Sequence, residues 1–141
     1  MIKLTSDEIK HIGLFESLTG AQVKDCVIDE GRGLVTFVVK ENQIGMAVGK
    51  SGNKIKQLER LIGKSVEVVE FSDNPTTFIH NVLAPAKLEN VEITEHGGKK
   101  TAVVTVDFQN RKLAIGRKGR KIQNAKKLVF RHYGIEDIIL R

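Results

Sequence analysis

Two tetrapeptides, Gly49-Lys50-Ser51-Gly52 and Gly116-Arg117-Lys118-Gly119, combine the residue types that hold a phosphate. Paired glycines allow a tight reversal and let the backbone approach a ligand closely. Where a helix follows, its first N–H groups and the positive end of its dipole point at that ligand. Lys50, Arg117 and Lys118 inside the loops, and Lys54, Arg120 and Lys121 just after them, add positive charge. Apolar neighbours are Ile44, Val48 and Ile55 in the first case and Leu113, Ile115 and Ile122 in the second. They would line a groove that holds bases while the loop holds the backbone. A single Gly-x-x-Gly is usually only a turn between two helices. Its recurrence in this chain is what sets it apart from such a turn.

Other chemistry finds little support. Gly45-Met46-Ala47-Val48-Gly49-Lys50-Ser51 resembles a nucleotide-binding P-loop but has three residues between its glycines where four are needed. The second copy also lacks a hydroxyl residue for Mg²⁺. His11, His80, His96 and His132 show no metal-ligand spacing. The single cysteine, Cys26, excludes an internal disulfide framework and reads as a packed small side chain. Ser51 has no base at a recognisable spacing, and the acidic pair Glu136-Asp137 reads as the solvated end of a strand. The expectation is a binding protein rather than an enzyme, with no cofactor, metal or small-molecule substrate.

The elements that position these loops repeat. Ala47–Ile55 aligns with Ala114–Ile122 at an offset of 67, with five of nine positions identical. At the same offset Val35–Val39 meets Ala102–Val106, so the repeating unit is a whole small domain. In the first copy Thr5 and Glu8 form a capping box, with Leu4 and Ile9 as its staple. Ile9, Ile12, Phe15 and Leu18 then mark a helical face that Gly20 ends. Strands are expected at Val23–Ile28 and Leu34–Val39, a short helix at Asn42–Val48, and a helix faced by Ile55, Leu58 and Ile62. Val66–Phe71 closes the unit. In the second copy Asn74-Pro75 caps a helix faced by Phe78, Ile79 and Val82. Strands follow near Lys87–Thr94 and Lys100–Val106. Arg111–Ile115 leads into the loop, and Ile122, Ala125, Val129 and Tyr133 line a longer helix before a last strand at Asp137–Leu140. The expected domains are residues 1–72 and 73–141.

The 141 residues carry a net charge of +6, are 28% charged and 40% hydrophobic, and hold no apolar run near the ~20 residues of a membrane span. Residues 1–72 hold ten basic and ten acidic side chains, whereas residues 73–141 hold 13 against 7, the whole excess. Nine basic residues lie between Arg111 and Arg131 without an intervening acid, the pattern of a polyanion-binding surface. Unit two is therefore expected to supply most of the electrostatic attraction and unit one more of the base discrimination. Aromatic residues make up only 5%, and the six phenylalanines read mostly as core, which argues against a base-stacking platform. A polar N-terminus and the lone cysteine favour a cytoplasmic protein.

Taken together, the two loops between predicted helices resemble the KH family, whose Gly-x-x-Gly loop clamps about four nucleotides by their backbone. The extra helix and strand before the core resemble the type II form. The fold class expected is α+β, with two tandem type II KH domains. Each would run helix-strand-strand-helix-helix-strand, with helices packed on one face of a three-stranded sheet. Phe15-Glu16-Ser17-Leu18-Thr19-Gly20, Val23-Lys24-Asp25-Cys26, Ala47-Val48-Gly49-Lys50-Ser51-Gly52 and Phe78-Ile79-His80-Asn81 are similar to segments of the archaeal NusA-like transcription factors. That resemblance implies single-stranded RNA as the partner, a role in transcription elongation, antitermination or termination, and RNA polymerase as a further partner. A ribosome-assembly or rRNA-processing factor is the alternative, since tandem KH pairs occur there too. The RNA-binding residues implied are Gly49, Lys50, Ser51, Gly52, Lys54, Ile55, Gly116, Arg117, Lys118, Gly119, Arg120, Lys121 and Ile122.

Overall fold

The computed structural model describes residues 2–141. Its chain divides into two compact units, Met1–Phe71 and Ser72–Arg141. In the first, helix α1 (Ser6–Thr19) precedes strands β1 (Val23–Asp29) and β2 (Leu34–Val39), helices α2 (Ile44–Val48) and α3 (Asn53–Ile62), and strand β3 (Ser65–Glu70). The second repeats the order with α4 (Pro75–Leu83), β4 (Asn90–His96), β5 (Lys99–Thr105), α5 (Phe108–Ile115), α6 (Arg120–Tyr133) and β6 (Ile135–Leu140). Each sheet has three strands, with the middle one antiparallel to the first and parallel to the third. The parallel pair needs a crossover, which the two helices and their loop supply.

Local signals explain the boundaries. Thr5 accepts from the Glu8 amide while the Glu8 carboxylate accepts from the Thr5 amide, closing the capping box at 3.2 and 2.8 Å. Gly20, Gly63 and Gly134 end α1, α3 and α6 in the left-handed conformation. Asn74 accepts from the Thr77 amide at 3.1 Å, with Pro75 in the first turn. The expected start of β4 at Lys87 moves to Asn90, because the Lys87 amide instead donates to the Asn110 side chain at 2.9 Å.

The first core gathers Phe15 from α1, Cys26 from β1, Val35, Phe37 and Val39 from β2, and Leu58 from α3. Phe15 and Phe37 stack with centroids 4.3 Å apart. Ile12, Leu18, Ile55 and Ile62 pack against this cluster. Ile9 departs from the expected face: it is 58% exposed, one turn too early on α1 to reach the sheet. In the second unit Phe78, Ile79, Ala102, Val104, Leu128, Val129 and Ile135 are buried, and α6 packs on α4, α5 and β6. Each fully buried large side chain contributes about 1.5–3 kcal/mol through the apolar area it removes from water. No helix among the described residues is long and apolar enough to cross a membrane.

Candidate nucleic-acid interface

Both Gly-x-x-Gly segments join two helices through a single 3₁₀ turn, and their backbones follow one path. Gly49 has φ 75°, ψ −177° and Gly116 has φ 76°, ψ 177°. Ser51 (53°, 28°) matches Lys118 (56°, 28°), and Gly52 (70°, 20°) matches Gly119 (73°, 14°). The first glycine sits in a region that only glycine occupies readily. The third residue is left-handed although it carries a side chain, a strain of about 1 kcal/mol. Two different sequences, Lys-Ser and Arg-Lys, therefore adopt the same unfavourable geometry.

That geometry leaves the following helices open. Helices α1, α4 and α5 are capped by the side chains of Thr5, Asn74 and Asp107. Helices α3 and α6 begin on Gly52 and Gly119, and no side chain caps them. A phosphate would meet the positive end of each helix with no capping side chain bonded there. Asp107 shows the contrast. Its carboxyl, held by the Asn110 amide first and the Asn110 side chain second, lies below its ordinary value of 3.8, so a charged cap fixes the start of α5.

The implied site residues separate by exposure. Lys50, Ser51, Arg117 and Lys118 stand in solvent, while Gly52, Gly116, Gly119 and Arg120 are half-buried beside them. Lys54 turns inward: its ammonium donates to the Thr19 carbonyl at 3.4 Å and the Met46 carbonyl at 3.2 Å, tying α1 and α2 together. Lys121 is half-buried, and its Cβ and amide lie against Gly116. Ile122, expected to line the groove, is only 8% exposed, because its position on α6 turns it to the core with Ala125 and Val129. Ile55 likewise packs against the first core. The exposed apolar surface beside the loops comes from the helices before them: the expected Ile44, Leu113 and Ile115, together with Met46 on α2. Met46 escaped sequence reasoning, although the offset of 67 pairs it with Leu113, and the two are 47% and 48% exposed. Lys126, within the run of nine basic residues, pairs with Asp137 at 3.2 Å. Among the described residues no group of three or more His, Cys, Asp or Glu side chains could hold a metal ion.

These positions lead to a testable division of labour. Lys54→Met is expected to cost about 1.5 kcal/mol of stability, because two carbonyls lose a charged donor. It should leave the salt dependence of RNA binding unchanged. Urea denaturation and RNA titration at several salt concentrations measure both. A slope lowered by about 0.7, the value of one phosphate contact, would instead put Lys54 on the RNA.

Comparison with known proteins agrees with this geometry. The family model described as KH domain matches residues 8–96, and that described as NusA-like second KH domain matches residues 75–139. The chain is 37% identical over 139 residues to the probable transcription termination protein NusA of Halococcus morrhuae, covering 99% of this chain and 98% of that protein. It is 36% identical over 137 residues to the protein of the same name from Methanocaldococcus jannaschii, covering 97% and 74%. The crystal structure of APE1850 superposes with a TM-score of 0.87 at 31% identity, covering 98% of this chain and 100% of that one.

Proposed function

The chain belongs to the NusA-like family of tandem KH proteins, and from that premise we propose that it binds single-stranded nascent RNA and acts in transcription elongation, antitermination or termination. The observation that carries the reading is the pair of loops with one backbone geometry, each basic and each opening an uncapped helix. A Gly-x-x-Gly turn of this kind clamps a nucleic-acid backbone, and the apolar side chains before it receive the bases. Lys50, Ser51, Gly52, Arg117, Lys118 and Gly119 make the backbone contacts. Met46, Leu113 and Ile115 face the bases. The role is binding rather than catalysis, it lies in the cytoplasm, and RNA polymerase is the partner that work on a nascent transcript requires.

The relatives named above bear transcription names, which favours this reading over ribosome assembly. Crosslinking in the cell that expresses the protein, followed by sequencing of the bound RNA, tests it. The expected result is enrichment of nascent transcripts near leaders and terminators. Enrichment of precursor rRNA alone would overturn the transcription role.

A further inference from the structure

Phe108 is the most exposed large hydrophobic side chain among those described, at 74%, and it opens the helix that runs into the second loop. Its sequence neighbourhood gave no reason to expect this, since phenylalanine is usually withdrawn from water. On α5, Lys112 and Ile115 follow at i+4 and i+7, within about 40° of the direction of Phe108. The three therefore form one stripe, and the next residue is Gly116. The Lys112 ammonium sits 4.7 Å from the centre of the Phe108 ring. The stripe thus alternates ring, cation and aliphatic surface over about 12 Å, and it ends at the phosphate-binding loop.

We propose that Phe108 is a base-stacking platform that extends the second unit's RNA site beyond its Gly-x-x-Gly loop, with Lys112 paired to the neighbouring phosphate. The proposal rests on the single-stranded RNA reading above. Its occupant is an unstacked nucleobase, for three reasons. An exposed aromatic face accepts any base by stacking. The adjoining cation and the basic loop suit the backbone that accompanies that base. The stripe is also continuous with the loop that clamps this backbone. The repeat supplies a contrast, because the offset of 67 places Glu41 at the position of Phe108. In unit one that sequence position falls in the turn before α2 and carries a carboxylate rather than a ring. Unit two then stacks a base, whatever its identity, as well as attracting phosphate, which adds a base contact to the electrostatic role expected from charge alone.

The chain contains no tryptophan, so Phe108→Trp introduces a single indole reporter. Titration with an oligoadenylate of about 12 nucleotides, within the span such sites cover, is expected to quench F108W emission with the midpoint seen by RNA anisotropy. Phe108→Ala should weaken binding roughly 5- to 150-fold without changing the salt slope, since a stacked base and no phosphate contact is lost. Lys112→Met should lower the slope by about 0.7. Because Phe108 is exposed, neither of its variants removes core packing. If F108A binds like the parent, or F108W emission ignores the RNA, the platform is rejected. When Arg117 and Lys118 variants lose affinity in the same assay, only the platform has failed. A parent chain that binds no oligoadenylate and no mixed-sequence RNA would overturn the RNA reading and the platform together.

Discussion

Replacing Gly116 by alanine is expected to destabilise the second unit by about 4 kcal/mol, the largest effect of any single methyl group in either loop. Two costs combine. The conformation at φ 76°, ψ 177° carries about 1–3 kcal/mol for a residue with a side chain. The new Cβ would also come within 2.6 Å of the Lys121 Cβ and 2.9 Å of the Lys121 amide nitrogen. Those atoms belong to the first turn of α6 and cannot swing away, so overpacking adds about 1–3 kcal/mol. At Gly49 the nearest clash falls on the Asn53 side-chain oxygen, which can swing away, and the next on Lys54 Cγ rather than on helix backbone, so Gly49→Ala should cost less. Gly119→Ala meets nothing within 4 Å and should cost only about 1 kcal/mol for its left-handed backbone. Urea denaturation of the three variants checks the ranking. Equal losses at Gly116 and Gly119 would show that the close approach of loop and helix is wrong.

Replacing Arg117 and Lys118 by two aspartates should weaken single-stranded RNA binding on the order of 100-fold, and replacing Lys50 and Ser51 likewise on the order of 30-fold. The first change shifts the loop by four charge units and the second by three. At about 6 Å in water one unit interacts with a phosphate by about 0.7 kcal/mol, so the shifts amount to about 2.8 and 2.1 kcal/mol. The salt slope should fall by about 1.4 in the first variant, which loses two cations, and about 0.7 in the second. All four side chains are exposed and make no core contact, so folding should survive. Anisotropy of a labelled RNA at several salt concentrations measures both quantities.

Much of this site was legible because it is written twice. The offset of 67 aligned the loops, the strands before them and the helices after them, and turn glycines marked where each helix stops. Side-chain direction was less legible, because it depends on what each helix packs against. Lys54 and Lys50 look alike in sequence, yet only Lys54 lies above two helix-end carbonyls. Ile122 keeps apolar company with the loop in sequence but turns to the core in space. Phe108 escaped for a related reason. Arg111–Ile115 alone shows as the approach to the second loop, whereas Asp107, with Asn110 three residues on, caps a helix that starts at Phe108. With that start recognised, the i, i+4, i+7 stripe follows. The exposure of its ring still required the folded chain.

The central claim is that both loops hold one class of ligand, single-stranded RNA, by its backbone. It is tested most directly by one titration series on four proteins: the parent, K50D/S51D, R117D/K118D, and the variant carrying all four substitutions. Each is titrated with the same labelled single-stranded RNA across a range of salt, after circular dichroism confirms that it is folded. The account predicts stepwise loss of affinity, a lower salt slope in each double variant, and a slope reduced by about 2 in the fourfold variant. Folded variants that bind the RNA with the parent's affinity and slope would contradict it.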